Sequence, residues 1–163
     1  MKNKSLLKII GVIGALFIAI IFAILIITAQ GSSQTTFRTI QGNKFNFNQI
    51  ENKVTIINFW ATWCGPCLVE IPNLMQLKEE YKDKPFEIVG ISTDEYLEDV
   101  INFHKYQKFN YPVIMANKAI YNKFPPPVGI PFSIILDKNG ESSEIFMGYK
   151  PIDKFRSAVE KLF

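Results

Sequence analysis

Trp63-Cys64-Gly65-Pro66-Cys67 follows an apolar run from Val54 to Phe59 and precedes a stretch of helical spacing that starts at Leu68. Its two cysteines are the only ones among 163 residues, so any thiol chemistry takes place here. Two cysteines separated by two residues at a helix start lie about one turn apart, and they close a disulfide with little backbone movement. A thiol at a helix N-terminus also faces unpaired N–H groups and the positive end of the helix dipole, which favour thiolate over thiol. Cys64 is therefore the expected nucleophile. Cys67, one turn deeper, is expected to attack the mixed disulfide that Cys64 forms with a substrate and so release the reduced product.

Two other uses of a close cysteine pair compete with this one. A structural zinc site needs four thiolate or imidazole ligands, whereas the chain offers two cysteines and one distant histidine, His104. No metal is expected. A purely structural disulfide would close so short a loop that the entropic gain is the smallest available, and it would leave the strand–CxxC–helix setting unexplained.

Composition bounds the rest. A chain of this length, 48% apolar, buries one proper core, so a single folded domain is expected. Lys2, Lys4 and Lys8 precede an uncharged apolar stretch from Ile9 to Ala29, which is 21 residues and long enough to cross a bilayer as a helix. A signal-peptide core is shorter, about 7–15 residues, although Ile27-Thr28-Ala29 leaves a weak cleavage site. The expected organisation is a cytoplasmic N-terminus (1–8), a single-pass anchor (9–29), a polar tether (30–35) and a domain (36–163). Lysines before the span and none directly after it place that domain on the extracytoplasmic, periplasmic side of a bacterial cytoplasmic membrane. With the three N-terminal lysines removed, residues 31–163 are neutral, at 15 Lys+Arg against 15 Asp+Glu, and nucleic-acid binding finds no support.

Along the domain, Phe37–Ile40 and Lys44–Phe47 flank Gln41-Gly42-Asn43 and read as an N-terminal β-hairpin. Lys53–Trp60 reads as a buried strand, and the helix that follows, interrupted by Pro72, is expected to kink there. Phe86–Ser92 reads as a strand, Tyr96–Phe109 as a helix, Tyr111–Met115 as a strand and Ala116–Phe124 as a short helix stopped by Pro125-Pro126-Pro127. Phe132–Asp137 and Ser143–Tyr149 around Lys138-Asn139-Gly140 read as a second hairpin, and Ile152–Leu162 as an amphipathic closing helix. Alternation of strand and helix predicts an α/β fold with parallel pairing.

Asn58-Phe59-Trp60-Ala61-Thr62-Trp63-Cys64-Gly65-Pro66-Cys67, followed by Glu70 and Pro72, resembles the membrane-anchored thioredoxin-like thiol-disulfide oxidoreductases of the TlpA, ResA and CcmG (DsbE) group. Val128-Gly129-Ile130-Pro131 before a strand is similar to the cis-proline loop of the same fold. The resemblance covers residues 36–163. It implies a thioredoxin fold, a central mixed β-sheet flanked by helices, with the N-terminal hairpin, a βα insertion and one preceding transmembrane helix. It also implies a cis Ile130–Pro131 bond and substrate contacts at Trp63, Ile130 and Pro131. No cofactor is implied beyond the cysteines. The partners it implies are disulfide-containing exported proteins, apocytochrome c among them, and a membrane electron donor of the CcdA/DsbD type.

Asn58 stands where many thioredoxins carry a buried aspartate, and an amide cannot exchange a proton near neutral pH. Glu70, three residues after Cys67, is the resemblance's candidate for that work, since partial burial would raise its pKa toward the working range. The alternative is a solvated first-turn glutamate favoured by the dipole. For the whole chain, disulfide reduction leads, with oxidase or isomerase activity and a non-enzymatic tethered binding module as alternatives. Peroxidase chemistry on this fold needs a threonine three positions before the attacking cysteine, where Ala61 stands.

Overall fold

The sheet is built outward from β3 (Val54–Trp60), in which all seven residues are buried. A strand covered on both faces has no polar side, which is why this segment reads as a continuous apolar run. Even-numbered residues face one layer, where Val54, Ile56 and Trp60 join a core with α1 (Gly65–Glu80) and α4 (Ile152–Glu160). Odd-numbered Ile57 and Phe59 face the other layer, shared with Phe37, Phe45, Ile50 and Phe124.

The structure is a computed structural model and describes residues 13–14, 16–23 and 35–163. Residues 13–14 and 16–23 are helical, and among the described residues no helix is long and apolar enough to cross a membrane. Of the expected anchor, 9–29, residues 13–14 and 16–23 are described, whereas the rest of it, the expected N-terminus, 1–8, and most of the tether lie outside the described residues. Thr35–Phe163 is one compact unit. It is an α/β thioredoxin-like fold whose five-stranded mixed sheet has the order β5 (Val113–Met115), β4 (Phe86–Ser92), β3, β6 (Phe132–Leu136), β7 (Ser142–Met147). Strands β4 and β5 run parallel to β3, as alternation predicts, while β6 runs antiparallel to it and pairs with β7 as a hairpin.

Several elements are shorter than their sequence pattern. The first hairpin keeps only β1 (Phe37–Arg38) and β2 (Lys44–Phe45), because Asn46 caps a 3-10 turn over Phe47–Ile50. The side chain of Asn46 accepts from Asn48 N, and Gln49 accepts from Asn46 N, a reciprocal cap that diverts the chain from the ladder. Helix α2 spans Leu97–Tyr106, and α3 spans Lys118–Lys123 with Asn117 accepting from Ile120 N. Helix α1 begins at Gly65, directly after Cys64 as a cysteine at the helix head requires and ahead of the periodic stretch that starts at Leu68, and it continues through Pro72 to Glu80. Pro66 lies in its first turn, where a missing N–H costs nothing and the fixed φ suits a helix.

Gly90 of β4 is closely enclosed by the core. A Cβ there would stand 3.1 Å from Val113 Cγ2, 3.2 Å from Tyr111 Cε2 and 3.3 Å from Trp60 Nε1. Those walls are buried and close-packed, so Gly90→Ala is expected to destabilise the oxidised protein by about 1–3 kcal/mol, the usual cost of overpacking. Urea unfolding measures it, and an unchanged midpoint would show that Trp60 and Tyr111 yield freely.

Candidate active site

Strand β3 ends at Trp60, and the chain turns through Ala61, Thr62 and Trp63 into α1. Cys64 is the helix N-cap, in extended conformation with φ −88° and ψ 96°. Its N–H donates to Ala61 O at 3.1 Å, closing the turn, and its carbonyl accepts from Leu68 N at 3.1 Å as the helix begins. Cys64 and Cys67 are joined as a disulfide, with S–S 1.98 Å and Cα–Cα 5.3 Å. Cys67 N donates to Cys64 Sγ at 3.3 Å, so the sulfur occupies the position of a capping oxygen. Cys64 retains 6% exposure and Cys67 1%, so Cys64 is the less buried of the two.

Behind the pair, α1 lies over one rung of the sheet. Asn58 is flanked by Gly90 on β4 and Ser133 on β6. The Asn58 side-chain amide donates to Ser133 Oγ at 2.9 Å and to Glu70 Oε1 at 3.1 Å. Glu70 Oε2 accepts from Lys150 N at 2.9 Å. The Lys150 ammonium donates to Met147 O at 2.7 Å and Gly148 O at 3.4 Å, bracing the loop that supplies this N–H. Glu70 is therefore a buried residue, 1% exposed, and the solvated first-turn alternative does not describe it. Burial pushes its carboxyl from 4.5 up to about 7, against the opposing pull of the Lys150 N–H, the Asn58 amide and the Lys150 charge.

The Ile130–Pro131 bond is cis. Phe132 pairs with Phe59, so Pro131 stands at the sheet end from which β3 delivers the cysteine turn. Its carbonyl accepts from Gly148 N at 2.9 Å, which ties the proline loop to the loop that holds Glu70. Pro131 is buried and Ile130 half-buried, while Trp63 is 71% and Val128 93% exposed. Cys64, Cys67, Glu70, Trp63, Ile130 and Pro131 thus gather at one end of the sheet. His104 does not join them: it stacks on Phe109 at 5.8 Å, and its Nδ1 accepts from Phe109 N. Among the described residues no three His, Cys, Asp or Glu side chains converge as a metal-binding set.

Sequence reading misses the supports. Ser133 and Lys150 carry no signal, because each acts through contacts made across 75 and 80 positions. Trp60 Nε1 and Tyr111 Oη are buried and make no hydrogen bond among the described residues. Burial, and then the charge of Glu70, push the Tyr111 phenol well above its ordinary value.

Comparison with known proteins agrees with this geometry. The AhpC/TSA family profile matches residues 29–152. Thiol-disulfide oxidoreductase ResA of Bacillus cereus is 30% identical over 125 residues, 76% of this chain and 71% of its own. Thioredoxin-like protein YneN of Bacillus subtilis (strain 168) is 30% identical over 122 residues, 73% of this chain and 71% of its own. Among solved structures, a thiol:disulfide interchange protein of the thioredoxin family from Chlorobium tepidum TLS superposes with a TM-score of 0.74 at 32% identity, covering 79% of this chain and 92% of that one. Sequence, fold and a cysteine pair at bonding distance coincide: the chain belongs to the AhpC/TSA family, among its thioredoxin-fold thiol-disulfide oxidoreductases.

Proposed function

We propose that this protein reduces disulfides in exported proteins while tethered to the cytoplasmic membrane through residues 9–29, with its domain on the extracytoplasmic side. The observation that carries the reading is the disulfide at the N-terminus of α1, with Cys64 the less buried of its two residues and a buried carboxyl, pushed up to about 7, one turn along the helix from Cys67. In the dithiol form, Cys64 thiolate attacks a substrate disulfide, one substrate sulfur leaves as thiolate and takes a proton from solvent, and a mixed disulfide forms. Cys67 then attacks Cys64 Sγ, the second substrate sulfur leaves, and the Cys64–Cys67 disulfide remains. Two electrons pass from the protein to the substrate. Glu70, one turn from Cys67, takes the proton that Cys67 must lose. Trp63, Ile130 and Pro131 contact the substrate, and we read β5 with α3 as the inserted βα unit.

The anchor reading rests on the uncharged stretch and its flanking lysines. Return to the dithiol form in an oxidising compartment requires electrons from across the membrane, so a membrane donor of the CcdA/DsbD type is the proposed partner. Apocytochrome c, whose haem-binding cysteines must be reduced, is the proposed substrate, by analogy with the ResA relatives.

Direction is set by potential. Gly65-Pro66 between the cysteines is the thioredoxin pair; thioredoxin lies near −270 mV and the oxidant DsbA near −120 mV, a gap worth roughly 7 kcal/mol for two electrons. Equilibration against glutathione or dithiothreitol buffers is expected to give a value below about −200 mV. A value near that of DsbA would make the protein an electron acceptor and reverse the assignment.

A further inference from the structure

Asp94 is a buried carboxylate outside the cysteine–glutamate set, and it grips the turn that carries the nucleophile. It follows β4 and is 8% exposed. Thr62 N lies 3.1 Å from Asp94 Oδ1 and 3.0 Å from Oδ2, and Thr62 Oγ1 donates to Oδ1 at 2.6 Å. Ser92 Oγ donates to Oδ2 at 2.7 Å and accepts from Asp94 N at 3.1 Å, which fixes the carboxylate from behind. The neighbouring Thr93 donates to Trp60 O twice, from N at 2.8 Å and from Oγ1 at 3.2 Å. The end of β4 therefore holds both residues that flank Ala61, and Ala61 O is the acceptor for Cys64 N.

Hydrogen bonds to a charged acceptor are roughly twice as strong as neutral ones, and Thr62 brings two donors to this one, an N–H shared between both oxygens and a hydroxyl, which leaves it few ways to turn. Among the described residues, Thr62, Trp63 and Cys64 make no other side-chain hydrogen bond to the sheet or its strand ends, and Cys64 adds only apolar packing. The N-cap position of Cys64 depends on the direction in which the chain leaves Thr62. That position aligns the sulfur with the unpaired N–H groups of α1, the feature that favours thiolate.

We propose that Asp94 is a positioning residue for the redox reaction: by clamping Thr62 it holds Cys64 at the head of α1, and loosening the clamp lowers the reactivity of the Cys64 thiolate. The inference rests on the reading of Cys64 as the attacking thiol. It makes an opposite prediction to simple electrostatics, because deleting a nearby negative charge on its own would favour the thiolate.

The test is the pH profile of iodoacetamide alkylation of the reduced full-length protein, together with reduction of insulin disulfides, for Asp94→Ala, Thr62→Val and Thr62→Ser. Thr62→Val keeps the N–H bonds and removes one hydroxyl, so it retains the fold if Asp94→Ala does not. The expected result is an alkylation rate at pH 7 about tenfold lower in Asp94→Ala and about threefold lower in Thr62→Val, each with its profile moved to higher pH. Thr62→Ser is expected to restore the wild-type profile. Faster alkylation in Asp94→Ala with Thr62→Val unchanged would show a charge effect and overturn the proposal. Lowered melting temperatures with unchanged profiles would show a merely structural role and overturn it too. A wild-type protein that alkylates at Cys64 but does not reduce insulin would count against disulfide reduction as the function, while the alkylation profiles of the variants still decide the role of Asp94.

Discussion

Cys67→Ala is expected to turn the reduced protein into a trap. Cys64 still attacks, but the mixed disulfide has no neighbouring thiol to resolve it, and turnover falls by at least about a thousandfold, since a well-oriented internal group outcompetes solution thiols by far more than that. The burial of Cys67 sharpens the contrast, because at 1% exposure it is positioned to attack Cys64 and little else. Non-reducing electrophoresis of whole-cell extracts from cells carrying the variant should show new high-mass species that collapse with dithiothreitol, and mass spectrometry names the captured proteins. Cys64→Ala is expected to abolish both turnover and trapping. Should the double variant Cys64→Ala, Cys67→Ala retain cellular function, the domain would be a binding module whose disulfide only stabilises it.

The parts of this protein that a linear reading reaches are those set by neighbours in the chain. Val54–Trp60 announces a doubly covered strand because every position is apolar or small enough to bury. The cysteine spacing announces a helix head, although periodicity puts the helix start at Leu68 rather than Gly65, since Gly65 and Pro66 carry no apolar pattern. Pattern overruns the hairpin and helix ends wherever a polar side chain turns back on its own backbone, as Asn46 and Asn117 do. Such caps compete with the ladder or the helix for the same donors, and periodicity does not register them.

What lies out of reach is the wiring between distant segments. Glu70 could be a solvated residue or a buried one on spacing alone; the decision belongs to Asn58, twelve positions before it, and to the Lys150 N–H, eighty positions after it. Gly90 looks like a weak point in a strand, yet a residue without a side chain suits the rung it shares with Asn58, because Trp60 and Tyr111 approach its backbone. Asp94 reads as an ordinary residue near a helix start, where Glu98 and Asp99 favour the dipole, and its grip on Thr62 spans 32 positions. Tertiary packing creates each of these contacts: strand ends, the helix laid over the sheet and the loops at its edge meet whatever their separation in sequence.

Glu70→Gln is expected to change both the stability and the kinetics of this protein between pH 4.5 and 7, in opposite senses. In the oxidised fold the Glu70 carboxyl keeps its proton up to about 7, whereas the ordinary value is 4.5. Between those limits the native state binds more protons than the unfolded chain, so stability falls as pH rises through the window. The loss is complete above the folded value and absent below the ordinary one, and its size is on the order of 3 kcal/mol at about 1.36 kcal/mol per unit. Glu80 and Asp137, held below their ordinary values of 4.5 and 3.8, act beneath that window, so they do not mask it. Urea unfolding at about pH 4.5, 6 and 8 should show the decline in the wild type and a flat line in Glu70→Gln. Activity moves the other way: as a base, Glu70 works only when deprotonated, so release of the mixed disulfide should rise with pH through about 7 in the wild type. In Glu70→Gln that limb disappears, release at neutral pH falls by about a hundredfold, and the deficit closes only as Cys67 ionises by itself at higher pH. A variant with the wild-type release profile would leave Glu70 as a buried structural carboxyl, tolerated at a cost in stability and idle in proton transfer.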